Sequence, residues 1–85
     1  MDYNSTITGQ VIGKLRTQRR LSQEKLASGA GMARSHLAMI ENGNKNATVD
    51  TLWRIAASLN IRLSDLFRMV EEEHNHCSFL KKSSE

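Results

Sequence analysis

Residues 21–43, LSQEKLASGAGMARSHLAMIENG, most restrict what this chain can fold into. Both ends of the stretch have helical character, yet Ala27, Gly29, Ala30, Gly31 and Ala33 crowd its middle. A glycine inside a helix costs roughly 1 kcal/mol relative to alanine, so one continuous helix would not be built this way. Counted from Gln23, apolar or small residues fall at the fourth position (Leu26), the eighth (Ala30), the tenth (Met32), the fifteenth (Leu37) and the eighteenth (Ile40). That spacing fits two short helices meeting near a right angle across a turn of three or four residues. Ala27 then stands at the closest crossing, where a larger side chain would push the helices apart. Gly31 takes the left-handed turn conformation, which costs a residue with a Cβ roughly 1–2 kcal/mol.

Helical spacing continues on both sides of this bend. Ile7, Val11, Ile12 and Leu15 predict a first helix ending near Arg19, after a polar arm over residues 1–6. Ser22 is the expected cap of helix two, with Glu24 in its first turn. Helix two runs to about Ala30, and helix three runs from Arg34 to Asn42, where Gly43 closes it. After the turn-forming run GNKNA, Thr48 caps a fourth helix with Leu52, Ile55, Ala56 and Leu59 on one face. Ser64 is the expected cap of a fifth, which buries Leu66, Phe67 and Val70. Residues 71–85 show no periodicity and read as a polar, frayed tail. The predicted fold is all-α, a compact five-helix bundle with one domain over residues 7–70.

Eighty-five residues leave room for one modest core. The formal charge of +3 is uneven, with net +4 over residues 1–47 and net −1 over residues 48–85. A basic first half points to a polyanionic partner. Cys77 is alone, so no intrachain disulfide forms and a reducing, cytoplasmic setting is expected. The N-terminus lacks the pattern of a secretory signal, and no apolar run is long enough to span a membrane. Enzyme chemistry is not expected: there is no phosphate-binding glycine loop, no carboxylate pair in a cleft-forming context and no nucleophile beside a base. His74, His76 and Cys77 form an H-x-H-C cluster, but it lies in the tail without a partner cluster. No metal or other cofactor is therefore expected.

LSQEKLA, IENG and TVDTLWRIAASLNIRLSDLF, together with Gly9, Ile12, Leu15 and Arg16, resemble the phage repressor and Cro family of helix-turn-helix regulators. The resemblance covers about residues 7–70 and implies a lambda-repressor-like DNA-binding domain whose third helix enters the major groove of duplex DNA. Arg34, first on that helix, would reach guanine O6 and N7 together. Ser35 follows it. Met39, one turn further on, would either touch a thymine methyl or pack at the rim of the core. Gln23, His36, Asn42, Asn44, Lys45 and Asn46 would meet the phosphate backbone, contacts that position without specifying. Arg16 and Glu41 resemble a family pair that joins the first helix to the third, a structural role.

The chain departs from the family at Arg20, where a glycine often ends helix one, and at Ala33. The latter replaces the usual Ser or Thr cap of the recognition helix, a loss of roughly 1 kcal/mol. With Gly13 and Gly29 weakening two helices, the domain is expected to be marginal alone, which favours a homodimer on a near-palindromic operator. Trp53, Leu63, Phe67 and Met69 are the candidates for that interface. Trp53 lies beside the apolar face of helix four, so packing against helix five is the other reading for it. The expected function is sequence-specific transcription regulation, by a repressor or autoregulator such as a phage-type repressor or a restriction-modification controller. The alternative is an antitoxin or a protein-binding adaptor, with residues 71–85 capturing a second protein.

Overall fold

Asn4, Ser22 and Thr48 each turn a side-chain oxygen onto a backbone N–H two or three residues ahead, and each starts a helix. The computed structural model describes the backbone of residues 4–83 and the side chains of residues 4–75. The elements are α1 (Ser5–Gln18), α2 (Gln23–Gly29), α3 (Arg34–Glu41), α4 (Val49–Ser58) and α5 (Leu63–Ser83), with no strand among the described residues. Only α3 among the first four has no side-chain cap, because Ala33 has nothing to offer.

Helices α1 to α4 all end alike. The N–H of Leu21 returns to the carbonyl of Arg16 (3.1 Å), Met32 to Ala27 (2.9 Å), Asn44 to Met39 (2.9 Å) and Ile61 to Ala56 (3.0 Å). The residues just before these donors, Arg20, Gly31, Gly43 and Asn60, hold φ of +56°, +67°, +78° and +60°. This is the Schellman closure, which satisfies carbonyls at the helix end through one left-handed residue. Leu21, Met32 and Ile61 then pack against the core, the apolar contact that commonly completes the motif. Arg20 does take the left-handed conformation in place of a glycine.

The closures fold the helices around Ile12, Leu26, Leu37, Ile40, Ile55, Leu59 and Leu66, all fully buried. Ala27 of α2 is almost fully buried. Helix α1 crosses the end of α3 so closely that a Cβ on Gly9 would collide with the carbonyl oxygen of Ile40 and lie 2.8 Å from that of Glu41. At Gly43 an added Cβ would lie 2.7 Å from Thr6 Oγ1.

Four expectations change. Ser5 and Thr6 belong to α1 rather than to an arm, because Asn4 caps the helix earlier; residues 1–3 lie outside the described residues. Ser64 is not a cap: α5 opens at Leu63, the N–H of Leu66 reaching the carbonyl of Arg62 at 3.1 Å. Phe67 is 38% exposed rather than buried. The backbone of residues 71–83 continues α5 where a frayed tail was expected. No glycine or proline interrupts residues 63–83, and propagating an existing helix is far easier than starting one.

Gly9→Ala should lower stability by about 1–3 kcal/mol, the cost of overpacking a close helix crossing. A urea titration would show a lower midpoint with an unchanged slope, and an unchanged midpoint would mean that α1 does not approach α3 this closely.

Candidate nucleic-acid interface

Helix α3 has two unlike faces. Leu37 and Ile40 point into the core, fully or almost fully buried. On the other side Arg34 and Ser35 are exposed and Met39 is 44% exposed, with His36 and Ala38 partly covered. The Arg34 side chain makes no hydrogen bond or ion pair with any described residue. An exposure of 44% leaves Met39 open to an outside contact and is compatible with a place at the rim of the core. Beyond the C-terminal end of α3, Asn42, Asn44, Lys45 and Asn46 are all exposed around the left-handed Gly43. Arg34, Ser35 and Met39 thus stand on the outer side of one short helix, with a donor-rich loop beginning at Asn42 beyond its end.

The orientation of α3 is held from beneath. Arg16 Nε donates to Glu41 Oε2 at 2.8 Å, Arg16 Nη2 donates to Glu41 Oε1 at 3.1 Å, and Arg16 Nη1 donates to the Leu21 carbonyl at 2.8 Å. The side chains of Arg16 and Glu41 are only 19% and 8% exposed. Bidentate pairing of this kind adds geometric specificity to charge. One arginine therefore joins α1, the α1–α2 turn and the end of α3.

Gln23 is drawn into the same group, its Nε2 donating to Glu41 Oε1 at 3.1 Å. One N–H of its carboxamide is used inside the protein; the second is left for other acceptors. Nothing in the sequence spacing signals this bond, because the two residues meet only once α2 and α3 have folded against each other. The Ser58 hydroxyl, which donates to the Leu26 carbonyl at 3.4 Å beside Gly29, is likewise invisible in the sequence. Gly29 belongs to this α2–α4 approach, since a Cβ there would collide with Ser58 Oγ.

The four apolar residues expected to share one patch do not. Trp53, 65% exposed, borders one open groove with Leu63 and Phe67. Met69 lines a different groove, with Val11 and Leu15 of α1. Two residues along a helix turn a side chain about 200° round its axis, so Phe67 and Met69 cannot face the same way. The side chains of His76 and Cys77 lie outside the described residues, and among the described ones no group of three His, Cys, Asp or Glu gathers to hold a metal. No helix among the described residues is long and apolar enough to cross a membrane.

A family profile described as helix-turn-helix matches residues 12–66. The chain is 39% identical over 66 residues to the control protein C.MunI of a Mycoplasma species, an alignment covering 76% of this chain and 89% of that one. It is 41% identical over 56 residues to the immunity repressor protein of Bacillus phage phi105, covering 66% of this chain but only 39% of the repressor. The restriction-modification controller protein C.Esp1396I, solved as a tetramer in complex with its natural 35 base-pair operator, superposes with a TM-score of 0.78 at 26% identity. That match covers 86% of this chain and 96% of the other.

Glu41→Ala leaves the Arg16 guanidinium and the Gln23 amide partly buried without their shared acceptor. The expected loss is about 3 kcal/mol, toward the lower end for a broken buried pair. A circular dichroism melt would show it as a clear fall in Tm, and an unchanged melt would remove Glu41 from its structural role.

Proposed function

The chain belongs to the helix-turn-helix family, and we propose that it regulates transcription by reading duplex operator DNA as a homodimer, with α3 in the major groove. The observation that carries this reading is the divided character of α3. Its inner face is fixed by Leu37, Ile40 and the Arg16–Glu41 pair, while Arg34, Ser35 and Met39 stand free on the outer face. An arginine with no partner inside the protein keeps its planar fork for guanine O6 and N7, a contact worth about 1–3 kcal/mol of discrimination. Ser35 donates or accepts beside it, and the exposed Met39 offers an apolar contact to a thymine methyl. Gln23, His36, Asn42, Asn44, Lys45 and Asn46 supply phosphate contacts that set the register of α3 without reading sequence. The second N–H of Gln23 serves here, the first being held by Glu41.

The relatives favour operator control over the antitoxin or adaptor reading. C.MunI is matched over nine-tenths of its length, whereas the chain spans well under half of the phage repressor. A control protein of the restriction-modification type, acting in the cytoplasm on its own operator, is the setting this supports.

The dimer face proposed is the outer side of α4 and α5. Trp53 and Phe67 are exposed there, beside Leu63, and large apolar side chains grouped at a surface mark association sites. Two copies would set their recognition helices about 34 Å apart, one turn of duplex.

In-vitro selection from random duplex DNA should enrich a two-fold symmetric site for the wild type. Arg34→Ala should lose one G·C preference in each half-site and bind about tenfold or more weakly. If neither protein enriches any sequence, the domain is not an operator reader. Trp53 is the one tryptophan of the chain, so its fluorescence reports directly on the dimer face. Dilution should shift its emission to the red with a concentration-dependent midpoint, and Phe67→Ala should move that midpoint upward. Emission independent of concentration would place Trp53 outside any interface.

A further inference from the structure

Among the described residues, Met39 is the methionine that the fold leaves in the open. It is 44% exposed, whereas Met32 and Met69 are partly buried and pack against the core. Its neighbours one turn away in the sequence are Ser35, His36, Asn42 and Gly43. None of them offers an apolar side chain to cover the thioether.

A thioether is the one group on the outer face of α3 that a peroxide oxidises directly. The sulfur lone pair attacks the terminal peroxide oxygen, an S–O bond forms and the O–O bond breaks. The proton of the transferred oxygen passes to the departing one. Sulfur loses two electrons and the peroxide gains them, leaving a sulfoxide and water, or an alcohol where the oxidant is an alkyl hydroperoxide. The flexible apolar side chain has become a polar one with an acceptor oxygen. Beside its methyl group, thymine presents only the acceptor O4 in the major groove. A sulfoxide at Met39 would therefore meet that edge with an acceptor that finds no donor there. In the free protein the same oxygen stays in water, so the fold loses nothing. Oxidation of Met32 or Met69 would instead put a polar group at the margin of the core.

We propose that Met39 is a peroxide-sensitive reading residue, whose oxidation to the sulfoxide weakens operator binding without loosening the domain. A methionine sulfoxide reductase reverses the change. This rests on the operator reading above and adds a chemical control to one of its contacts.

The test treats the purified protein with hydrogen peroxide and then with a thiol reductant, which returns disulfides and sulfenic acids to thiols but leaves sulfoxides. Tryptic peptide masses should place the first added oxygen on residues 35–45, which hold Met39 and no other methionine. The melt should not move, while affinity for the selected operator should fall on the order of tenfold. Sulfoxide reductase should restore it. Met39→Leu keeps every other oxidisable side chain, and its own affinity should be the same before and after treatment. Deoxyuridine in place of thymine removes only the methyl group. At one position per half-site it should cost untreated wild type roughly fourfold, and cost the oxidised protein and Met39→Gln nothing. A first oxygen on another peptide, a lowered melt, an unchanged affinity after treatment, or an equal loss in Met39→Leu would each overturn the proposal. So would an operator in which no thymine methyl matters. All of these leave operator binding standing, whereas untreated wild type that binds no duplex sequence would overturn the operator reading itself and this proposal with it.

Discussion

Three separate segments converge on the Glu41 carboxylate, and the rest of the structure depends on that convergence. Arg16 brings α1 and, through the Leu21 carbonyl, the α1–α2 turn; Gln23 brings the start of α2. A carboxylate at the C-terminal end of a helix is opposed by the helix dipole. Glu41 is thus badly placed for α3 taken alone, and the guanidinium fork compensates. An eight-residue helix is too short to be stable by itself in water, so α3 exists only in the position its neighbours give it. The network and the buried Leu37 and Ile40 together define which of its faces turns outward.

The helix ends do the remaining work of direction. Four Schellman closures begin connections of only four residues, or seven between α3 and α4, which lets five helices share a small core. Two of the left-handed positions are glycine, and the others, Arg20 and Asn60, accept the strain because Leu21 and Ile61 anchor in the core immediately afterward. Among α1 to α4 the one missing side-chain cap is at Ala33. Local rules tend to be broken where a site needs something else. The uncapped turn opens the helix whose outer face is proposed to meet DNA.

The function proposed divides between two surfaces of unlike chemistry. The face of α3 is polar and donor-rich, with one unpaired arginine at its head. The face of α4 and α5 exposes the aromatic side chains of Trp53 and Phe67 beside Leu63. The rigid packing between them matters because half-site spacing on a duplex is a distance, and a loosely held α3 would blur it.

Much of this was legible in the sequence because the signals are local. Small residues at the bend, Gly31 and Gly43 at left-handed positions, Ser22 and Thr48 as caps, and the spacing of Leu37 and Ile40 are read within a few residues of where they act. They determined the five helices, the bend and the outward face of Arg34 and Ser35, while the exposure of Met39 came only with the fold. The sequence misplaces the start of α5 because Ser64 looks like a cap, but after the turn at the left-handed Asn60 the helix begins two residues earlier, at Leu63. Its length was misread because apolar periodicity stops at Val70 while the backbone has no reason to stop. What only the tertiary structure decided are the meetings across long sequence separations. Gln23 joins Glu41, Gly9 lies under the carbonyls of Ile40 and Glu41, and Phe67 is left exposed while Met69 turns toward α1. Periodicity says that a residue lies on a helix face, but which neighbour covers that face depends on how helices cross, and that is set by packing of the whole core.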